Sequence, residues 1–222
     1  NTKGINNDSL QIKEVYGVFS ASAQGKEKLL KVENDKFIIT FSNKGGRIYS
    51  VQLKEYQTHD SLPLLLFDAE ESNFNATFVT NNNRIINTGD MYFELIKQPV
   101  DTNIKQGKEQ VVFRMKTTEE AYLDYIYTID ASDYMVDFSI KAFKMNDLLP
   151  ANANSLELQW YSKIRQKEKG RKFENRYASL QYKYLADDVE KLSESKNDTE
   201  EIPNKLKWIA FKDQFFSSIL IA

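Results

Sequence analysis

The sequence predicts a mostly β protein, with antiparallel strands, few helices and the build of a large sandwich. Apolar residues recur on alternate positions in one segment after another, which is the period-2 signature of half-buried strands. In residues 35–56, Phe37, Ile39 and Phe41 alternate, and after a polar reversal Tyr49, Val51 and Leu53 do the same. Aromatic residues are abundant, with 14 Phe, 12 Tyr and 2 Trp, and suit sheets that pack face to face. The sequence shows no long amphipathic helix, fixed-period repeat or extended low-complexity tract.

Residues 1–33 are polar and mixed in charge, with one short apolar patch at 15–19. They are expected to form a linker (1–31) or peripheral segment that adds little core, with the folded domain spanning 32–222. Residues 42–46 (SNKGG) join the two strands of 35–56, because paired glycines reach positive φ at low cost. Residues 57–62 connect onward and carry His59, the single histidine. Residues 63–67, 73–79 and 91–97 are short strands, the last closed by Pro99.

The middle is the most regular part. Val111, Phe113 and Met115, then Leu123, Tyr125, Tyr127 and Ile129, then Tyr134, Val136, Phe138 and Ile140 form the inward sets of a meander, with a hairpin turn at 130–133. After a loop at 150–154, Leu156, Leu158 and Trp160 restore the alternation, and Trp160 is assigned to the core. Charge dominates 163–172, which is expected to be a solvated excursion or a long edge. A strand follows at 177–184, a mobile surface loop at 190–204, and a closing strand pair at 207–212 and 215–221 around a corner at Asp213 and Gln214.

A chain of 222 residues, 41% of them hydrophobic, can bury the core of one domain. A net charge of -2 gives no overall basic footprint, so nucleic acid is not an expected partner. There is no cysteine, hence no disulfide framework or thiolate site. No apolar run approaches the roughly 18 residues that cross a bilayer. Residues 1–8 are polar from the start, unlike a signal peptide, and the chain is expected to be a fragment of something larger.

No catalytic, cofactor-binding or metal-ligating residue emerges. The NKGG turn leads into a strand, whereas a phosphate cradle needs a following helix whose N-terminal amides face the anion. His59 has no second histidine or cysteine to complete a zinc site. The carboxylate groups Asp68/Glu70/Glu71, Glu119/Glu120 and Asp187/Asp188/Glu190 lack ligand spacing and are expected to be solvated surface. Ser217 and Ser218 lie in a strand-like run without a nucleophile elbow. Alternating aromatics are core before they are a sugar-stacking platform.

Two stretches carry a family resemblance: FSNKGGRIYSVQLKEY at 41–56 and KWIAFKDQFFSSILIA at 207–222. Both resemble the periplasmic domain of the YidC membrane protein insertase family, in which a strand, a GG turn and a strand ending in L-x-x-Y open the fold and a W-I-A motif with paired aromatics comes late. LDYIYTIDASDYMVDFSIKAF at 123–143 and LELQWYSKI at 156–164 fit between them. The resemblance implies a β-super-sandwich similar to galactose mutarotase-like folds, displayed on the periplasmic face of the bacterial inner membrane between two transmembrane helices. It implies a non-catalytic module whose partners are the Sec accessory proteins SecDF and nascent membrane proteins, met at strand edges and at the excursions 163–172 and 190–204. Insertion chemistry in the family belongs to its membrane core, so the matched residues Gly45, Gly46, Tyr56, Trp160, Trp208, Phe215 and Phe216 are turn and packing positions. Family domains continue past the W-I-A region, so the domain is expected to be truncated at its C-terminal end. The alternative is a carbohydrate-binding or aldose-epimerase-like protein, against which a single histidine argues.

Overall fold

The computed structural model describes residues 3–222 apart from 119, 154, 187 and 194, so Glu119 and Asp187 of the carboxylate groups lie outside the described residues. It is mostly antiparallel β, as predicted, with fifteen strands in four sheets among the described residues. The first sheet runs β1 (Leu29–Glu33), β2 (Phe37–Ser42), β3 (Arg47–Gln57), β4 (Pro63–Asp68). The second has the order β10 (Val136–Phe143), β9 (Tyr122–Asp130), β8 (Lys108–Lys116), β7 (Glu94–Lys97). These two sheets face each other over one core. Phe41 of β2 meets Tyr127 of β9 at 5.0 Å and Phe113 of β8 at 6.0 Å between ring centroids.

The alternation that predicted the strands is what builds this core. Phe37, Ile39 and Phe41 are buried from one side, and Val111, Phe113, Met115, Leu123, Tyr125, Tyr127 and Ile129 from the other. Gly45 and Gly46 hold φ of +78° and +59° in the turn between β2 and β3, as the paired glycines required. The Gly46 carbonyl accepts a 2.7 Å bond from the buried Tyr127 hydroxyl, so the turn is also a tie between the sheets.

The other two sheets flank the sandwich. One has the order β11 (Glu157–Ser162), β5 (Ser72–Val79), β6 (Ile85–Asn87), and Phe74 of β5 packs edge-on against Phe138 of β10 at 5.5 Å. The other has the order β13 (Val189–Ser193), β12 (Ser179–Tyr184), β14 (Leu206–Lys212), β15 (Ser217–Ile221). It is tied back by Trp160 of β11 against Phe211 of β14 at 4.7 Å, and by Phe216 against the main core.

Several expectations change. Residues 1–33 contribute a helix, α1 (Lys3–Tyr16), the strand β1, and two core side chains, Phe19 and Val32. Phe19 is buried because Phe78 of β5 takes its ring edge-on at 5.6 Å, a contact that local polarity does not reveal. Trp160 is half-buried rather than core, since β11 is the edge strand of its sheet. Tyr134 precedes β10 and is exposed. Part of the loop expected at 190–204 is strand, because β13 pairs with β12 from Ser193 to Val189.

The excursion 163–172 is not wholly solvated. Lys167 is 3% exposed, and it is followed by a one-turn helix, α2 (Arg171–Glu174), whose Glu174 is also buried. The group Asp68/Glu70/Glu71 is not merely solvated either: Arg165 bonds Glu71, Arg47 lies 3.7 Å from Glu70, and Asp68 with Glu71 forms a capping box.

Candidate interaction cleft

β3 is eleven residues long, and its last four, Lys54 to Gln57, project beyond the buried part of the first sheet. The turn between β9 and β10 comes alongside it and brings Tyr134. Asn34, wholly buried, sets that position: its side-chain nitrogen donates to the Asp130 and Asp133 carbonyls at 2.7 and 2.9 Å, while its oxygen accepts from the Lys36 and Phe37 amides. A fully bonded buried amide of this kind fixes one arrangement of the chains it joins.

From the other side comes the β14–β15 hairpin. Asp213 is 3% exposed; its Oδ1 accepts from the Phe215 and Phe216 amides at 3.0 and 2.6 Å, and its Oδ2 meets Lys167 Nζ at 2.5 Å. One carboxylate therefore shapes the corner and neutralises a buried ammonium. The Lys167 amide in turn donates to Glu174, and the Lys167 carbonyl accepts from the His59 amide at 2.9 Å. His59 itself is exposed.

Between these elements lies an open cleft of about 490 Å³ lined by Leu53, Tyr56, Gln57, Tyr134, Glu168, Phe215, Phe216 and Ser217. Phe216 meets Tyr56 edge-on at 5.1 Å and forms the wall, while Phe215 is 66% exposed. At the rim, Glu55 accepts from Lys36 Nζ and from the Tyr134 hydroxyl, both at 3.0 Å. The Lys36 hydrogen bond holds the Glu55 carboxyl below its ordinary range. Lost hydration, with Glu55 next to it, pushes the Tyr134 phenol up to about 12. The result is an aromatic-walled cleft with the hydroxyls of Tyr56, Tyr134 and Ser217, the Gln57 amide and one carboxylate, Glu168, along it. Such a lining binds apolar or ring-shaped groups by stacking, with polar groups to orient them.

Of the motif residues, the structure brings Tyr56, Phe215 and Phe216 together at this cleft. Gly45 and Gly46 sit in the β2–β3 turn, Trp208 lies half-buried on β14, and Trp160 packs on Phe211. The sequence reading missed Asn34 and Lys167, and it placed the corner at Asp213 without its buried pairing. Only Asp213 had a local signal, a turn-forming acid two residues before an aromatic pair.

Comparison with known proteins decides the family. The model of the YidC periplasmic domain matches residues 29–222. This chain belongs to that family. It is 48% identical over 212 residues to a protein of Parabacteroides distasonis named membrane protein insertase YidC, covering 96% of this chain and 32% of that protein. Proteins of the same name from Azobacteroides pseudotrichonymphae and Bacteroides fragilis are 43% and 39% identical over 96% and 92% of this chain, and 33% and 32% of their own lengths. The chain thus spans about a third of the curated relatives it matches. No helix among the described residues is long and apolar enough to cross a membrane.

Proposed function

We propose that this chain is the non-catalytic periplasmic module of an inner-membrane insertase, and that its cleft is a docking surface for an apolar segment of a nascent membrane protein or of a Sec accessory protein such as SecDF. The observation that carries this is Phe215, an exposed aromatic at the lip of the cleft on a corner locked by the buried Lys167–Asp213 pair. A rigid corner presenting an apolar side chain loses little entropy when a partner covers it. The relatives' name supports the setting, since each is called a membrane protein insertase. Site-specific photocrosslinking from Phe215 in the membrane-embedded protein tests it. The reading expects crosslinks to a nascent membrane protein or to SecDF. Labelling that reaches neither, while a probe at the exposed Val79 on β5, outside the cleft lining, gives the same pattern, refutes it.

A second reading is favoured by the exposed Tyr56 and Tyr134 with Glu168 beside them, which is how all-β proteins hold a sugar ring. Calorimetric titration with mono- and disaccharides tests this reading. It stands if millimolar or tighter binding is lost in Tyr56→Ala, and it falls if no saccharide saturates.

A further inference from the structure

The chain carries a net charge of -2, yet residues 163–177 hold seven Lys or Arg against two Glu. The fold sorts these charges by exposure. Glu174 is buried and bonded to the Lys167 amide; Lys167 is neutralised by Asp213, and Arg165 by Glu71. Lys163, Lys169, Arg171, Lys172 and Arg176 are all exposed, and none forms an ion pair among the described residues. Of the segment's two acids, Glu174 is thus spent inward and Glu168 lines the cleft, while these five cations are exposed.

A second feature shares the patch. Phe173 and Tyr177 are 51% and 46% exposed, and their rings meet each other at 5.4 Å rather than the core. Gly170, at φ +101°, is the N-cap of α2, and the two aromatics are interleaved in sequence with the exposed Lys169, Arg171, Lys172 and Arg176. Basic side chains around exposed aromatics are the composition of surfaces that rest in the headgroup region of a bilayer, where rings enter the acyl boundary and ammonium or guanidinium groups meet lipid phosphate.

We propose that the face formed by residues 163–177 is a membrane-apposed surface that binds anionic phospholipid headgroups, orienting the domain on the bilayer. An acidic peptide would satisfy the cations but give the two rings nothing to enter, which favours the lipid surface. The inference rests on the membrane-side placement proposed above, and the face shares only Glu168 with the cleft.

The test is sedimentation of the 222-residue chain with phosphatidylcholine vesicles, with and without phosphatidylglycerol. Binding is expected only with phosphatidylglycerol, and it should weaken as salt rises. Each basic side chain near such a surface contributes roughly fivefold, so Lys169→Gln, Arg171→Gln and Lys172→Gln combined should weaken binding on the order of a hundredfold. Phe173→Trp should show a blue-shifted emission on the anionic vesicles, against the background of Trp160 and Trp208. The substituted positions are exposed, and an unchanged thermal transition confirms that each variant folds. Phe215→Ala should leave vesicle binding unchanged, which separates this face from the cleft. The proposal is overturned by equal binding to both vesicle types, by no binding to either, by a triple variant that binds like the parent, or by polyglutamate binding without vesicle binding.

Discussion

Gly45 and Gly46 show how much a single turn position decides. Both need positive φ, which costs an L-residue about 1–2 kcal/mol. A Cβ on Gly45 would lie 3.5 Å from its nearest neighbour, an ordinary contact, whereas one on Gly46 would lie 3.0 Å from the Phe93 ring. Gly46→Ala should therefore be the more destabilising, adding about 1–3 kcal/mol of overpacking to the backbone strain, and denaturant unfolding of the two variants ranks them. Asp213 decides more. Asp213→Ala strands the buried Lys167 ammonium and removes the acceptor of two amides, and should cost about 3–5 kcal/mol by the same measurement. The pair Lys167→Met with Asp213→Asn removes the buried charge and keeps an acceptor, so it should cost less than Asp213→Ala alone. Of these positions the glycines were legible in the sequence, because conformational freedom is local. Lys167 was not: its partner is 46 residues away and it lies in a run of polar and charged residues.

The β14–β15 hairpin is the element on which the cleft depends. Its two aromatics are adjacent in sequence and opposite in role, since the corner turns Phe216 inward onto Tyr56 and Phe215 outward. Phe216→Ala should destabilise the chain by about 2–4 kcal/mol, while Phe215→Ala should stay within about 0.5 kcal/mol and act only on partner capture. Thermal unfolding beside the crosslinking yield separates the two, and equal destabilisation by both would remove the lip-and-wall description of the cleft. The strands of this hairpin were predictable from their alternation. Which ring faced in was not, because the Asx turn at Asp213 sets the phase and depends on Lys167.

At the scale of the whole molecule, tyrosines are held neutral both inside the sandwich and at the cleft rim. Burial pushes Tyr125 up to about 12, and Tyr134 rises to the same region, both from an ordinary value of 10.0. An acid whose folded pKa is raised favours folding while it is protonated. That stability is fully present below about pH 10 and is lost as pH rises through about 12. The unfolding midpoint should accordingly fall across this window together with tyrosinate absorbance, and Tyr134→Phe should make the fall shallower. Tyr127, wholly buried, is held well above its ordinary value by burial and should ionise only as the chain unfolds.

The sequence by itself determined the antiparallel β class, the strands of both central sheets apart from β1, the reversal at Gly45 and Gly46, and the family. Alternation, turn chemistry and motif are properties of neighbouring residues, so they are written locally. Only the tertiary structure decided that Phe19 belongs to the core, that Trp160 lies at an edge, and that the charged excursion has a buried inner side and a basic outer one. Each of these depends on a partner far along the chain: Phe78 for Phe19, Phe211 for Trp160, and Asp213 for Lys167. Such pairings add burial and electrostatic energy that no local pattern encodes.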